Sequence, residues 1–368
     1  MKLFCTQKGL ESALNIVDKA VSTNNTLPVL NNILLKTEGK KLYFSSTNLE
    51  IAINCFIDAD VRGEGSVTVP AKLISSYISL LNDEKVEITL TEGLNLSINS
   101  SSSSTKIKCI SADEFPLIPK IEKGKEFIVK IEDLCEAINE TVFAASLNTS
   151  RPVLSGVYLI VKDDELKLVA TDSYRLAEKK IKLSSKISEE VSCIIPAKTM
   201  MELSKIINKS NSKELKVNIS NNQILFSADG IELISRLIEG KFPDYEKIIP
   251  KESKSVIEVS VEDLSLVLKR VSLFARENNN SVKISVTNDG KLLVSSDETK
   301  VGEEKAEVLI KLTGENNKVS LNAQYLLDVL TYITEDKVSI ILNDKVSPAM
   351  IKPLKDQDYV YIIMPLKV

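Results

Sequence analysis

Apolar residues return at helical spacing in six places along the chain, and at every second position in several stretches between them. The first helical set is Leu10, Ala13, Leu14, Val17, Ala20 and Val21. Its counterparts are Leu134, Ala137, Ile138, Val142 and Ala145, then Leu264, Val267, Leu268, Val271, Phe274 and Ala275. Such spacing places one apolar stripe on a helix of 3.6 residues per turn. Three shorter stripes obey the same rule: Ile74, Tyr77, Ile78 and Leu81; Leu203, Ile206 and Ile207; Leu326, Val329, Leu330 and Ile333. Alternating runs such as Val86-Glu87-Ile88-Thr89-Leu90 and Val338-Ser339-Ile340-Ile341-Leu342 predict half-buried antiparallel strands. Asn221-Asn222, Asp229-Gly230 and Asn288-Asp289-Gly290 supply turn chemistry between such runs. Gly63-Glu64-Gly65-Ser66 reads as a further hairpin turn, and the serine run Ser100 to Ser104 as a flexible hairpin tip.

The pattern repeats. A strand-like run ending in small and polar residues occurs at Leu42 to Asn48, at Leu166 to Asp172 and at Lys291 to Asp297. Thr47 to Thr171 is 124 positions and Thr171 to Ser296 is 125. Helix openings keep the same beat at Val69-Pro70-Ala71-Lys72, Ile195-Pro196-Ala197-Lys198 and Ser320-Leu321-Asn322-Ala323. Phe115-Pro116 and Phe242-Pro243 close the first two units. Each unit is two helices on a mainly antiparallel sheet, an α+β plan, in three tandem copies. Short charged stretches at Lys123-Gly124-Lys125 and Pro250 to Lys254 set the expected domains at 1–124, 125–251 and 252–368. The period is too long for a small solenoid repeat.

Length fits this division, because 368 residues exceed one ordinary hydrophobic core. With 43% hydrophobic and 27% charged residues the chain is globular in character, and it has no apolar run long enough for a membrane helix. The start, Met1-Lys2-Leu3-Phe4-Cys5-Thr6, lacks the apolar stretch of a signal peptide, so a cytoplasmic protein is expected. Five scattered cysteines form no metal knuckle and read as small buried hydrophobes. No histidine occurs, which excludes Ser-His-Asp and Cys-His nucleophiles and imidazole-ligated metals. No cofactor is expected. The net charge of −4 argues against coating nucleic acid, though not against enclosing it, where few phosphate contacts are needed.

Four markers in order resemble the bacterial β sliding clamp family end to end: the threefold repeat, Thr171-Asp172-Ser173-Tyr174-Arg175-Leu176-Ala177, Arg236 to Tyr245, and Tyr361-Ile362-Ile363-Met364-Pro365-Leu366-Lys367-Val368. The resemblance implies the DNA clamp fold and a head-to-tail homodimeric ring around duplex DNA. It implies a non-enzymatic processivity factor, tethering a replicative polymerase, a clamp loader and other proteins through short linear peptides. Familiar members carry Gly-His at Ser173-Tyr174; some have phenylalanine at Asn279 and serine at Pro348.

Three sites follow from that resemblance. A partner-peptide groove maps onto Leu154, Thr171, Tyr174, Arg175, Leu176, Pro243, Lys247, Ile248, Asn322, Tyr325, Val346, Ile362, Met364, Pro365 and Leu366. An apolar, adaptable Ile-Ile-Met-Pro-Leu stretch suits a binding surface, yet Tyr359 to Leu366 also reads as the last core strand with alternate residues facing inward. A subunit interface maps onto Lys72, Lys106, Ile107 and Lys108 on one side and Leu273, Phe274, Glu303, Glu304 and Glu307 on the other. There edge strands would pair and charges would set register, although solvated surface charge explains the ionic residues equally well. DNA-facing candidates on the helices are Lys8, Lys19, Arg151, Lys198, Lys205, Lys209 and Arg270, with Lys72 shared; Glu132, Asp133, Glu136, Glu202 and Glu262 lie on the same helices. Two rivals stand beside the clamp reading. One is a hydrolase using Asp172 or Asp297 at strand ends, and the other is a repeat-built scaffold that never touches DNA.

Overall fold

A computed structural model describes every residue except 23–26, 120, 122–123, 149, 301 and 367–368. Among the described residues, six α-helices carry the six apolar stripes, apart from Ala20, Val21, Leu81, Ala145 and Ile333 past their ends: α1 Gln7–Val17, α2 Ala71–Ser79, α3 Ile131–Val142, α4 Ala197–Ile207, α5 Val261–Ala275 and α6 Ala323–Tyr332. Their starts follow from local chemistry. Thr6 accepts a hydrogen bond from the Gly9 N–H and Ser260 one from the Asp263 N–H, while Asn322 accepts from both Gln324 and Tyr325. Pro70 and Pro196 stand immediately before α2 and α4, in the place that suits a residue without an N–H. None of the described helices is long and apolar enough to cross a membrane.

The fold gathers into two compact units, and the middle repeat contributes to both. The first unit comprises residues 1–131 and 205–237. It holds a five-stranded sheet and an eight-stranded sheet. The larger sheet is continuous from the middle repeat into the first, because Ile231–Arg236 pairs antiparallel with Ile51–Asp58, Leu233 opposite Ile53. Helices α1 and α2 pack together, with the Gln7 side chain donating to the Ile78 carbonyl at 2.9 Å. The apolar set Leu10, Leu14, Val17, Ile74 and Ile78 lies in the core as the periodicity predicts. Asp229 and Gly230, at φ 50° and 76°, make a two-residue turn between paired strands.

The second unit comprises residues 132–204 and 238–368 and is built on one twelve-stranded sheet. Tyr359–Ile363 joins the middle repeat to the third, pairing with Arg175–Lys182 on one side and Ala349–Pro353 on the other. All five of its residues are buried. Tyr359 and Tyr361 donate to the carbonyls of Glu140 and Tyr325, at 3.0 and 3.1 Å. On the other face Val360 and Ile362 join Val169, Leu176, Phe242 and Tyr245 in one apolar cluster.

Two sequence expectations need correction. Gly63-Glu64-Gly65-Ser66 is not a hairpin: Asp60–Gly63 belongs to the five-stranded sheet and Gly65–Pro70 to the eight-stranded one, so the segment is a corner between sheets. The serine tip, a turn between Asn95–Asn99 and Ser104–Lys108, is tied down rather than loose. Hydrogen bonding from Ser100, Ser101 and Ser102 engages the Asp83 carboxylate and holds it well below the usual range. Of the five cysteines, Cys5, Cys55, Cys135 and Cys193 are buried and Cys109 is half-buried; none is in a disulfide.

Candidate functional site

The turn Thr171-Asp172-Ser173-Tyr174-Arg175 is built from its own side chains. Thr171 Oγ1 donates to the Arg175 carbonyl at 2.6 Å and accepts from the Ser173 N–H. Asp172 accepts from the N–H groups of Tyr174 and Arg175 at 2.9 and 3.0 Å. Ser173 takes φ 81°, and Tyr174 is thrown outward with 63% of its surface exposed. The first repeat makes the same turn at Thr47-Asn48-Leu49-Glu50-Ile51, bond for bond, with Leu49 at φ 75°. Asp172 is thereby engaged in the turn and in an ion pair with Arg175, and Asp297 pairs with Lys283.

Arg175 braces the site. Its guanidinium donates to Asp172 at 3.0 Å, to the Phe143 carbonyl at 2.8 Å and to Asp328 of α6, and its centre lies 4.5 Å from the Tyr325 ring centroid. A planar fork bound on three sides is a fixed wall. Past the last strand the chain runs between two anchors: the Met364 N–H donates to the Tyr174 carbonyl and the Leu366 N–H to the Ser320 carbonyl, at 2.8 and 2.9 Å. Met364, Pro365 and Leu366, each half-buried, form one lip of a cleft of about 720 Å³, with Val346, 78% exposed, also in its lining.

The predicted groove residues separate by depth. Leu154, Thr171, Leu176 and Ile362 are buried and form core rather than exposed wall. The last-strand reading is therefore right for Tyr359 to Ile363, since that strand has a neighbour on each edge and both faces are covered. Asn322 caps α6 and its amide donates to the Asn279 carbonyl at 3.2 Å. Pro243 and Ile248 lie exposed on the segment that carries Phe242 and Tyr245 onto the apolar cluster. Lys247 turns aside to pair with Asp244, which holds its ammonium above the usual range. Sequence reasoning missed Lys283, Lys318, Val319, Ser320 and Lys345, which also line the cleft. The alternation Lys318-Val319-Ser320-Leu321-Asn322 carried the signal, since Val319 and Leu321 face inward and Lys318 outward.

Two open strand edges stand out among the described residues. Ser104–Lys108 ends the five-stranded sheet with Lys106 and Lys108 outward; Ile107 points inward and is buried. Lys72 is exposed on α2, whose Tyr77 hydroxyl shares a 2.8 Å hydrogen bond with Ser103 beside that edge. In the second unit Lys305–Gly314 changes neighbours midway. Residues 305–309 pair with Lys291–Ser295 and residues 310–314 with 255–259, so the first half keeps one edge unpaired. Leu273 and Leu309 stand exposed there, at 57% and 79%, and Phe274 is half-buried. Glu303, Glu304 and Glu307 already have partners within the chain, Lys305, Arg270 and Lys291. Leu73 and Leu80 of the first unit and Leu266 of α5 are exposed leucines that sequence reasoning left out.

The basic candidates are all exposed, though not all lie on helices. Lys8 is in α1, Lys72 in α2, Lys198 and Lys205 in α4 and Arg270 in α5. Lys19 sits in the 3₁₀ turn after α1, Lys209 beyond the end of α4, and Arg151 just before the 3₁₀ turn Pro152–Leu154, its guanidinium 3.5 Å from the Ser173 hydroxyl. The outward face of α3 is acidic at Glu132 and Glu136.

Glu136, Glu140 and Asp356 are close enough to hold a cation, and the Lys179 ammonium fills that role, 2.8 Å from Glu140 and 3.6 Å from Glu136, with a third pair to Asp356.

Sequence and structure comparisons converge. Profiles described as the DNA polymerase III beta subunit match throughout: the N-terminal domain at residues 1–119, the central domain at 128–244 and the C-terminal domain at 246–367. A beta sliding clamp of Staphylococcus epidermidis is 32% identical over 364 residues, covering 96% of each chain. The crystal structure of the DNA polymerase sliding clamp of Bacillus subtilis superposes at a TM-score of 0.95 with 30% identity, covering 100% of this chain and 99% of that one. A Pseudomonas aeruginosa sliding clamp solved bound to griselimycin gives 0.95 with 26% identity and full coverage of both. The chain belongs to the DNA polymerase III beta subunit family, the beta sliding clamps.

Proposed function

We propose that two copies of this chain close head to tail into a ring around duplex DNA, and that the ring tethers a replicative polymerase without chemistry of its own. The pair of open strand edges carries this reading. Ser104–Lys108 and residues 305–309 each offer unpaired backbone groups, and each has exposed leucines nearby. Pairing one with the other between two copies satisfies both and repeats at the second junction, so the assembly closes. Lys72, Lys106 and Lys108 then steer the edges and fix register, while the apolar residues, Leu273 and Phe274 among them, supply affinity. The exposed cations at Lys8, Lys19, Arg151, Lys198, Lys205, Lys209 and Arg270 contact phosphates without reading bases. The acidic face of α3 keeps that hold loose enough for sliding.

The Met364-Pro365-Leu366 lip, with Tyr174, Arg175, Val346 and the cap at Asn322, serves as the docking groove for short extended peptides of the polymerase and the clamp loader. A relative of this fold solved with griselimycin bound supports ligand capacity in the family. Three domains, at 1–124, 125–251 and 252–368, remain the natural division by sequence. The workplace is the cytoplasm, at replication forks.

Topology provides the test. Protein loaded in a replication-competent extract should co-elute with nicked circular plasmid on gel filtration and leave it once the plasmid is linearised. Equal retention on both forms, or on neither, overturns the ring reading.

A further inference from the structure

We propose that the groove in the third repeat selects extended peptides whose apolar anchors are flanked by carboxylates; this rests on the docking role given to that groove above. The middle repeat shows what an equivalent surface of the same fold receives. There Tyr158 stands opposite Ile194, and Gly156 opposite Pro196. In the third repeat Lys283 stands opposite Ser320, and Ser281 opposite Asn322, in the same register. The Ile238 N–H donates to the Ile194 carbonyl at 2.8 Å, as the Leu366 N–H does to the Ser320 carbonyl at 2.9 Å. Four residues beyond Ile238, Phe242 lies flat on Tyr158, with ring centroids 4.8 Å apart and planes 12° apart. The surface thus accepts an extended segment with an aromatic anchor.

In the third repeat its character changes. Lys283 replaces Tyr158 and Lys318 replaces Ser192, and Lys345 joins them in the cleft lining. Among the described residues no carboxylate lines that cleft. Lys283 is paired with Asp297, but neither Lys318 nor Lys345 has an ion pair among the described residues. Cations beside the apolar Val346, Met364 and Leu366 suit a ligand that brings both carboxylates and hydrophobic side chains. A nucleic-acid strand would leave the apolar lip unused, so an acidic peptide is the better fit. Each exposed ion pair contributes little, but two or three together shift affinity about tenfold at low salt.

The test uses full-length protein and three labelled heptapeptides, Ile-Xaa-Gly-Xaa-Phe-Pro-Xaa, copied from residues 238–244 with every Xaa set to Asp, Asn or Lys. Fluorescence anisotropy should rank them Asp, Asn, Lys, with about tenfold between the extremes. The ranking should collapse in the K318A/K345A double variant and shrink in high salt, and all binding should vanish in Met364→Glu. Equal affinities that Met364→Glu still abolishes would leave the groove standing and overturn the charge selection. An Asp preference that survives Met364→Glu overturns it too, because the cations responsible then lie elsewhere, and so does oligothymidylate displacing the Asp peptide at equal concentration. Failure of all three peptides overturns the selection. The groove itself is then judged separately, by whether Met364→Glu releases the polymerase from the clamp.

Discussion

Lys179 occupies a place where an unpaired lysine would be untenable, since it is 8% exposed in an interior strand. Burial opposes its charge, yet hydrogen bonds to Asp356 and Glu140 outweigh that and hold the ammonium above its usual range. Glu140 is pushed the other way. Burial, joined by Glu136 and Asp356 against the pull of Lys179, takes its carboxyl from 4.5 up to about 7. The two shifts compete, because a neutral Glu140 offers Lys179 no countercharge; Asp356 leads the groups holding the lysine charged, so the pair survives protonation of Glu140. The folded state therefore keeps a proton on Glu140 that the unfolded chain releases above about pH 4.5, so stability falls as pH rises from there towards 7. Glu140→Gln should abolish that fall, and urea midpoints of the two proteins between about pH 5 and pH 8 would reveal it. A constant difference across the range refutes the assignment. In the sequence Lys179 is one more polar residue in Arg175–Lys182. Its burial depends on α3 and Tyr359–Ile363 covering it, which no local pattern encodes. Resemblance alone marks Arg175 as a candidate, and its brace to Asp328, 153 positions away, is not legible in the sequence.

At the scale of elements, period carries most of the information. The six stripes became six helices because burying one apolar face fixes both the helix and its rotation. Sheet membership is less legible, since a strand's alternation names its faces and not its neighbours. That is why Gly63-Glu64-Gly65 looked like a hairpin and proved to be a corner. The change of partners midway through Lys305–Gly314 was equally hidden, although it leaves residues 305–309 with an open edge. Leu273 stands exposed on α5, which packs against that strand. Leu273→Asp should leave the monomer folded, because the side chain is 57% exposed, and should prevent two chains from pairing. Analytical ultracentrifugation reads the outcome: a dimer of undiminished affinity removes Leu273 from the interface.

For the whole molecule, three repeats were readable from markers 124 and 125 positions apart, but the grouping into two compact units was not. Sheets run on from one repeat into the next, so packing does not respect sequence boundaries. That continuity has a consequence for biosynthesis. Arg175–Lys182 finds its second neighbour only at Tyr359, 177 residues after Lys182 (359 − 182). At about 5–20 residues per second the ribosome needs roughly 9–35 s to supply it. Throughout that interval a nascent chain displays a naked strand able to zip onto a neighbour on the same polysome. A chain terminated after Asp358 freezes that moment and should form species larger than the full-length protein on size-exclusion chromatography; a single peak no larger than that of the full-length protein would show that the half-made sheet protects itself. Until Tyr359–Ile363 emerges the edge of Arg175–Lys182 stays open, so the strand that closes the sheet is also its safety catch.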